Sequence, residues 1–252
     1  MTYPSIAQQL AQQLGDNCII LAHRLSEWCG HGPVLEQDIA LTNIALDLLG
    51  QTRMYYTYAL ENDPQQRSED DLAGLRDAHQ FHNIQLVEFP NTDWAYTIAR
   101  QFFFDTWHYL YISEMRNSPD RNLAEIAEKA FKEITYHQRF SSEWMLRLGD
   151  GTAVSREKIQ AAVNELWTFT GELTTPNAVD TAAAEAGIAP DLTAMSAAYY
   201  ARVHAVLAEA TLQIPSVSWM QKGGKTGKHT EHLGYILADM QFLQRAYPGS
   251  KW

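Results

Sequence analysis

Asp105 lies between Phe102 and Tyr109, in the middle of an apolar stripe at helical spacing, where a carboxylate would not be chosen for packing alone. Three other polar groups stand on similar faces. Glu27 ends a stripe through Ile20 and His23, Asp47 follows Ala40, Asn43 and Ile44, and His137 sits with Ala130, Ile134 and Ser141. Burying a polar group without partners costs several kcal/mol, so each of these calls for a metal, a hydrogen bond or a proton. The plainer reading is an aspartate bonded to a tyrosine or arginine in the core and a lone helical histidine satisfied by its neighbours. Without a metal, the acids need nearby cations or are driven toward their neutral forms, and His137 is the obvious internal partner.

Carboxylates and a histidine drawn from four successive helices match the ferritin-like di-metal plan. In that plan two helices each give one carboxylate and two others each give Glu-x-x-His. Residues three apart on a helix face the same way, so a carboxylate and an imidazole can reach one metal while the carboxylate bridges to a second. The single carboxylates here are Glu27 and Asp105, and the paired positions are Asp47-x-x-Gly50 and Ile134-x-x-His137. Both pairs are broken. Gly50 stands where a histidine is needed, Ile134 where a bridging glutamate is needed, and Asp47 is one methylene shorter than the plan requires. A two-iron cluster able to activate oxygen is therefore not expected in this chain.

Helices must position these residues. Ile6, Leu10, Leu14, Cys18, Leu21, Leu25 and Trp28 recur at steps of three and four, which predicts a long first helix carried through Gly15. His31-Gly32-Pro33 breaks it, a second helix runs to about Leu60, and Asn62-Asp63-Pro64 stops that one. Asp63 to Asp71 reads as an exposed acidic loop. A third helix is capped by Asn91, and a fourth runs from about Asp120 to Leu148 and ends at Gly149-Asp150-Gly151. Further helices are predicted over Ser155 to Thr170, Ala178 to Ala186, Leu192 to Leu212 and Thr230 to Ala246, punctuated by Pro and Gly. The expected fold is all-α: one ferritin-like domain over residues 1–252, with a four-helix core bundle at about 5–148 and appended C-terminal helices at about 155–246.

Composition narrows the partners. A formal charge of -11 repels nucleic acid and anionic lipid, leaving small molecules and other proteins. The longest apolar stretches fall far short of the ~20 residues that span a bilayer, and no charged region followed by an apolar run opens the chain, so a cytoplasmic protein is expected. Cys18 and Cys29 are the two cysteines. Eleven positions along one helix set them ~16 Å apart, beyond the ~7 Å reach of a disulfide, so both are expected as reduced core residues.

Lys222-Gly-Gly-Lys225-Thr226-Gly-Lys228 ends like a phosphate-binding loop, but Trp219 occupies the place of its first glycine and no strand precedes it. A nucleotide loop is rejected. These lysines remain candidates for contact with a phosphate or an acidic partner surface, against the alternative of a flexible connector. His229 and His232 have a metal-compatible spacing beside Glu231, though nothing else completes a site, and capping or interface roles fit better. The tyrosines of Tyr55-Tyr56-Thr-Tyr58 and Tyr199-Tyr200 spread round their helices, so partner contact is expected for some.

Three strings carry a resemblance to a known family: LGDNCIILAHRLSEWCGHGPVLEQDIALTNIALDLLGQ, KEITYHQRFSSEWMLRLGDGT and GKHTEHLGYILADMQFLQR. From about Leu14 to Trp252 the chain resembles the non-catalytic C subunits of the bacterial ring 1,2-phenylacetyl-CoA epoxidases, the acidic loop near residue 65 being least similar. That resemblance implies a multicomponent monooxygenase of aerobic phenylacetate degradation. In it, a homologous catalytic partner holds the di-iron centre and electrons come from NADPH through a separate reductase. The C subunit shares the ferritin-like fold, carries no cofactor, and stabilises that catalytic partner in a heterodimer or heterotetramer, with other epoxidase components as further partners. By the same matching, Ile134 marks a lost glutamate, His137 the kept histidine and Gly50 a lost histidine. Glu27, Asp47, Gly50, Asp105, Ile134 and His137 are then vestiges rather than catalytic or metal-binding residues, and Lys222, Lys225 and Lys228 are candidates for coenzyme A or partner contact. The rival readings are a stand-alone metal-dependent oxidase using Glu27, Asp47, Asp105 and His137, and an iron-handling ferritin-like protein.

Overall fold

The structure, a computed structural model, describes residues 3–250, and every regular element among them is helical. The chain divides into two compact units, Met1–Phe89 with Gly223–Trp252, and Pro90–Lys222.

In the first unit α1 (Ile6–Ser26) starts at a reciprocal cap, in which the Ser5 side chain accepts from the Gln8 amide and the Gln8 side chain accepts from the Ser5 amide. A turn through Gly32 leads to α2 (Leu35–Ala59), whose first turn carries Glu36 and Asp38 at the positive end of the helix dipole. The two helices run antiparallel. Gln8 Nε2 donates to the Glu61 carbonyl at 2.6 Å at one end, and the Cys18 thiol reaches Gln51 Oε1 at 3.9 Å further along. They meet closely at Gly15, where a Cβ would lie 2.6 Å from the Tyr56 ring. The acidic segment after α2 is less of a loop than its composition suggests. Asp63 is buried and paired with Arg67 at 2.8 Å, and Ser68 caps α3 (Glu69–Gly74). Cys29 corrects another expectation, since it lies beyond the end of α1 and is exposed, whereas Cys18 is buried.

The second unit is built on α4 (Trp94–Met115) and α5 (Arg121–Gly149), again antiparallel, as the ring contacts Trp94–Trp144 at 5.2 Å and Tyr109–Phe131 at 5.4 Å require. The cap of α4 is Asp93, which accepts from the Tyr96 amide at 2.9 Å, and not Asn91, whose Oδ1 instead accepts from Arg100 at 2.8 Å. Gly149 is the last residue of α5, and the Ala210 backbone packs where a Cβ would be, so the close approach requires glycine there. The remaining helices of this unit are α6 (Ala153–Leu166), α7 (Gly171–Thr174), α8 (Ala178–Glu185) and α9 (Leu192–Glu209), a 3-10 turn over Trp167–Thr170 preceding α7.

The chain then returns to the first unit with α10 (Glu231–Met240) and α11 (Phe242–Ala246). One continuous helix is predicted here, but Gln241 interrupts it. Its side-chain amide is buried and donates to the carbonyls of Ala73 and Arg76, both at 2.9 Å, fixing the break against the end of α3. The fold is thus all-α, with one long antiparallel pair in each unit and shorter helices after them, consistent with the ferritin-like plan. No helix among the described residues is long and apolar enough to cross a membrane.

Candidate functional site

Within the second unit, Asp105 on α4 and His137 and Ser141 on α5 are all fully buried, as their places on the apolar stripes predict. Gln101, one turn before Asp105, donates to its Oδ1 at 2.6 Å. The Ser141 hydroxyl donates to the His137 carbonyl at 3.0 Å, and Asp105 Oδ2 has no hydrogen-bond partner among the described groups. Burial pushes the Asp105 carboxyl up to about 6 against the downward pull of His137. One turn further on, His108 is also buried, and burial with the neighbouring His137 pushes it down to about 3. Its ring packs between Trp107 and Phe104. His108 was not singled out from the sequence, although Asp105-x-x-His108 repeats the three-residue spacing of the di-metal plan on a helix expected to give only a carboxylate.

Ile134 is fully buried and offers no donor where the plan needs a bridging glutamate. In the first unit Glu27 does not point inward. It follows the last residue of α1, its side chain is 46% exposed, and it pairs with Arg24 at 2.7 Å. The stripe that suggested burial runs out with the helix. Asp47 is half-buried and Gly50 is exposed with open space beside it. Among the described residues no three His, Cys, Asp or Glu side chains gather into a metal-binding group. What the second unit provides is a buried carboxyl beside an imidazole, able to hold a proton near neutral pH.

Two buried acids that sequence reasoning missed organise the first unit. Asp16 on α1 is fully buried and receives Arg76, the Tyr56 hydroxyl at 2.6 Å and the His82 amide at 2.8 Å. Arg76 also lies over the Phe81 ring at 4.0 Å. Glu88, fully buried, takes His229 Nδ1 at 2.6 Å on one oxygen and the Thr230 amide and hydroxyl at 2.7 and 2.6 Å on the other. His229 Nε2 faces the Phe81 carbonyl at 2.9 Å, so both ring nitrogens have acceptors and neither is left for a metal. Burial alone would push His229 down, but the hydrogen bond and charge of Glu88 outweigh it and hold the imidazole above its ordinary value. Thr230 caps α10, and the His232 ring packs 5.3 Å from Phe89.

The same anchoring orders the loop before α10. Gly223 and Gly227 take positive φ, the Lys228 amide closes back on the Gly223 carbonyl at 3.0 Å, and Gln85 donates to the Lys228 carbonyl at 2.7 Å. From Gly223 onward this is a fixed turn rather than a flexible connector. Lys225 is buried, while Lys222 and Lys228 are exposed. Of the tyrosines assigned to partner contact, Tyr55, Tyr56 and Tyr199 are buried, and Tyr58 and Tyr200 are half-buried, because both helices are covered on more than one side.

Comparison with known proteins places these features in context. The sequence model of the family described as phenylacetic acid catabolic protein matches residues 2–252. The chain is also similar to the C subunit of the 1,2-phenylacetyl-CoA epoxidase of Escherichia coli (strain K12), with 52% identity over 240 residues that cover 95% of this chain and 96% of that protein.

Proposed function

The chain belongs to the phenylacetic acid catabolic protein family, and from that premise we propose that it is the non-catalytic subunit of a multicomponent 1,2-phenylacetyl-CoA epoxidase. Its partner is the homologous subunit that holds the di-iron centre, joined as a heterodimer or heterotetramer in the cytoplasm, with NADPH supplying electrons through a separate reductase. The chain itself carries no metal. The observation that carries this reading is the 52% identity to a C subunit over nearly the full length of both proteins. The missing donors at Gly50 and Ile134 agree with it, because a cluster that bridges two metals depends on each ligand position. A bundle without its own centre can still be kept for the surface it offers, since binding the folded partner shifts that partner toward its working state by mass action. With Lys225 buried, any contact with coenzyme A or an acidic partner surface falls to Lys222 and Lys228.

The test is elemental analysis of the purified chain alone and co-purified with the di-iron subunit, alongside turnover of phenylacetyl-CoA with and without this chain. The expected result is iron only with the partner, in the partner's stoichiometry, and no turnover by this chain alone. One or two metals per isolated chain would overturn the reading in favour of a metal-dependent oxidase or an iron-handling protein.

A further inference from the structure

The helix α2 buries one side against α1 and leaves a second apolar side uncovered. Leu35 is 70% exposed, Ile39 50%, Leu46 59% and Leu49 38%. With Thr42 they recur at steps of four, three, four and three, the heptad spacing that aligns side chains in a straight seam along a helix. The seam is ~21 Å long at the rise of an α-helix, and exposed Val34 extends it at the cap. Five of the fifteen exposed large apolar side chains among the described residues fall in the sixteen positions 34–49, where even scatter over the chain would put about one. Nothing in the packing of α1 on α2 uses this side. A contiguous apolar strip of this kind marks an interaction surface rather than ordinary scatter.

The charges on the same helix decide what covers it. Along α2 the charged residues are the acids Glu36, Asp38 and Asp47 and one cation, Arg53, which is exposed and continues the line of the seam one step beyond Leu49. Glu36 and Asp47 lie to one side of the seam and Asp38 to the other, by the 100° step of the helix. Acids outnumber the single cation three to one along this helix, and each copy of the chain carries -11, so a second copy is opposed by charge over the whole surface. The complement is a different chain whose apolar helix seam is flanked by Lys and Arg.

We propose that this face of α2 is the docking surface for the di-iron subunit of the epoxidase, received through an apolar helix with basic flanks. The inference rests on the reading of this chain as an epoxidase component, and it adds where the partner sits and by what chemistry. The experiment uses the full-length chain and the di-iron subunit, with affinity measured for wild type, Leu46→Glu, Ile39→Glu and Glu36→Lys, and Val154→Glu on α6 as an exposed apolar control. Oxidative footprinting of the wild-type complex reads burial of the Leu35, Ile39, Leu46 and Leu49 side chains without any substitution. The expected result is a loss of about tenfold or more for the two seam variants, a smaller loss for Glu36→Lys, none for Val154→Glu, unchanged melting of the isolated variants, and protection of the four side chains. If the wild-type proteins associate but the seam variants bind as tightly and the four side chains remain reactive, the docking inference is overturned while the subunit reading stands. If the wild-type chain does not bind the di-iron subunit at all, both fall. A chain that sediments alone as a dimer broken by Leu46→Glu would give this face to a second copy and overturn the proposal.

Discussion

Asp105 is a carboxyl held where its proton is favoured, and this sets how the protein should respond to pH. Its folded value of about 6 lies above the ordinary 3.8, so the folded state binds the proton more tightly than the unfolded chain. Stability from this group is then fully present below pH ~4 and is lost as pH rises through about 6, by roughly 3 kcal/mol for a shift of about two units. Asp105→Asn keeps an acceptor for Gln101 and removes the charge. The variant should be more stable than wild type at pH 8, with the gap narrowing as pH falls below about 6 and closing near pH 4, as read from urea unfolding across that range. A variant less stable than wild type at pH 8 would mean that an ion pair with His137 outweighs burial. Asp105 and His137 were legible because each interrupts an apolar stripe well inside a long helix. Glu27 misled because its stripe ended with the helix. Asp16 and Glu88 were invisible for different reasons. Asp16 lies on a helix buried almost all round, so no periodicity singles it out, and its partner Arg76 arrives from sixty residues away. Glu88 sits in a segment of short 3-10 turns that has no long period to read.

At the level of the elements, two helical glycines on neighbouring helices should respond in opposite directions to the same substitution. Alanine is favoured over glycine inside a helix by ~1 kcal/mol. At Gly50 the space beside the residue is open, so Gly50→Ala should be stabilising by about that amount. At Gly15 the new Cβ would lie 2.6 and 2.7 Å from two atoms of the Tyr56 ring. That ring cannot swing aside freely, because its hydroxyl is held by Asp16 and Arg76. Overlap in a packed core costs about 1–3 kcal/mol, so Gly15→Ala should be net destabilising, with a melting temperature lower by roughly 2–6 °C in a chain of this size. Thermal unfolding of the two variants checks both signs, and a rise in both would show that the Tyr56 ring yields. Helix periodicity located α1 and α2 to within a few residues, because it reports burial. It carried no information on how closely the two approach, nor on the break at Gln241, which depends on carbonyls at Ala73 and Arg76 far away in sequence.

For the whole molecule, charge predicts two opposed responses to salt. Thirty acidic residues against nineteen basic ones leave the chain at -11, so like charges repel one another on its surface and screening them should stabilise the isolated protein or leave it unchanged. Association with a di-iron subunit whose docking helix is basic should respond the other way. Unlike charges draw the two surfaces together over a distance of about one Debye length, ~10 Å at 0.1 M salt and ~3 Å at 1 M. The association rate should therefore fall by about tenfold or more between low salt and ~0.5 M. The dissociation rate should change little, because the seam of Leu35, Ile39, Leu46 and Leu49 is apolar and its burial is not screened. Stopped-flow mixing of the two subunits over a salt series, with melting of the isolated chain in the same buffers, separates these effects. Glu36→Lys should flatten the salt dependence of association while leaving the melting trend in place. An association rate that is flat with salt in the wild type would place the attraction in the apolar seam alone and remove the acids of α2 from partner selection.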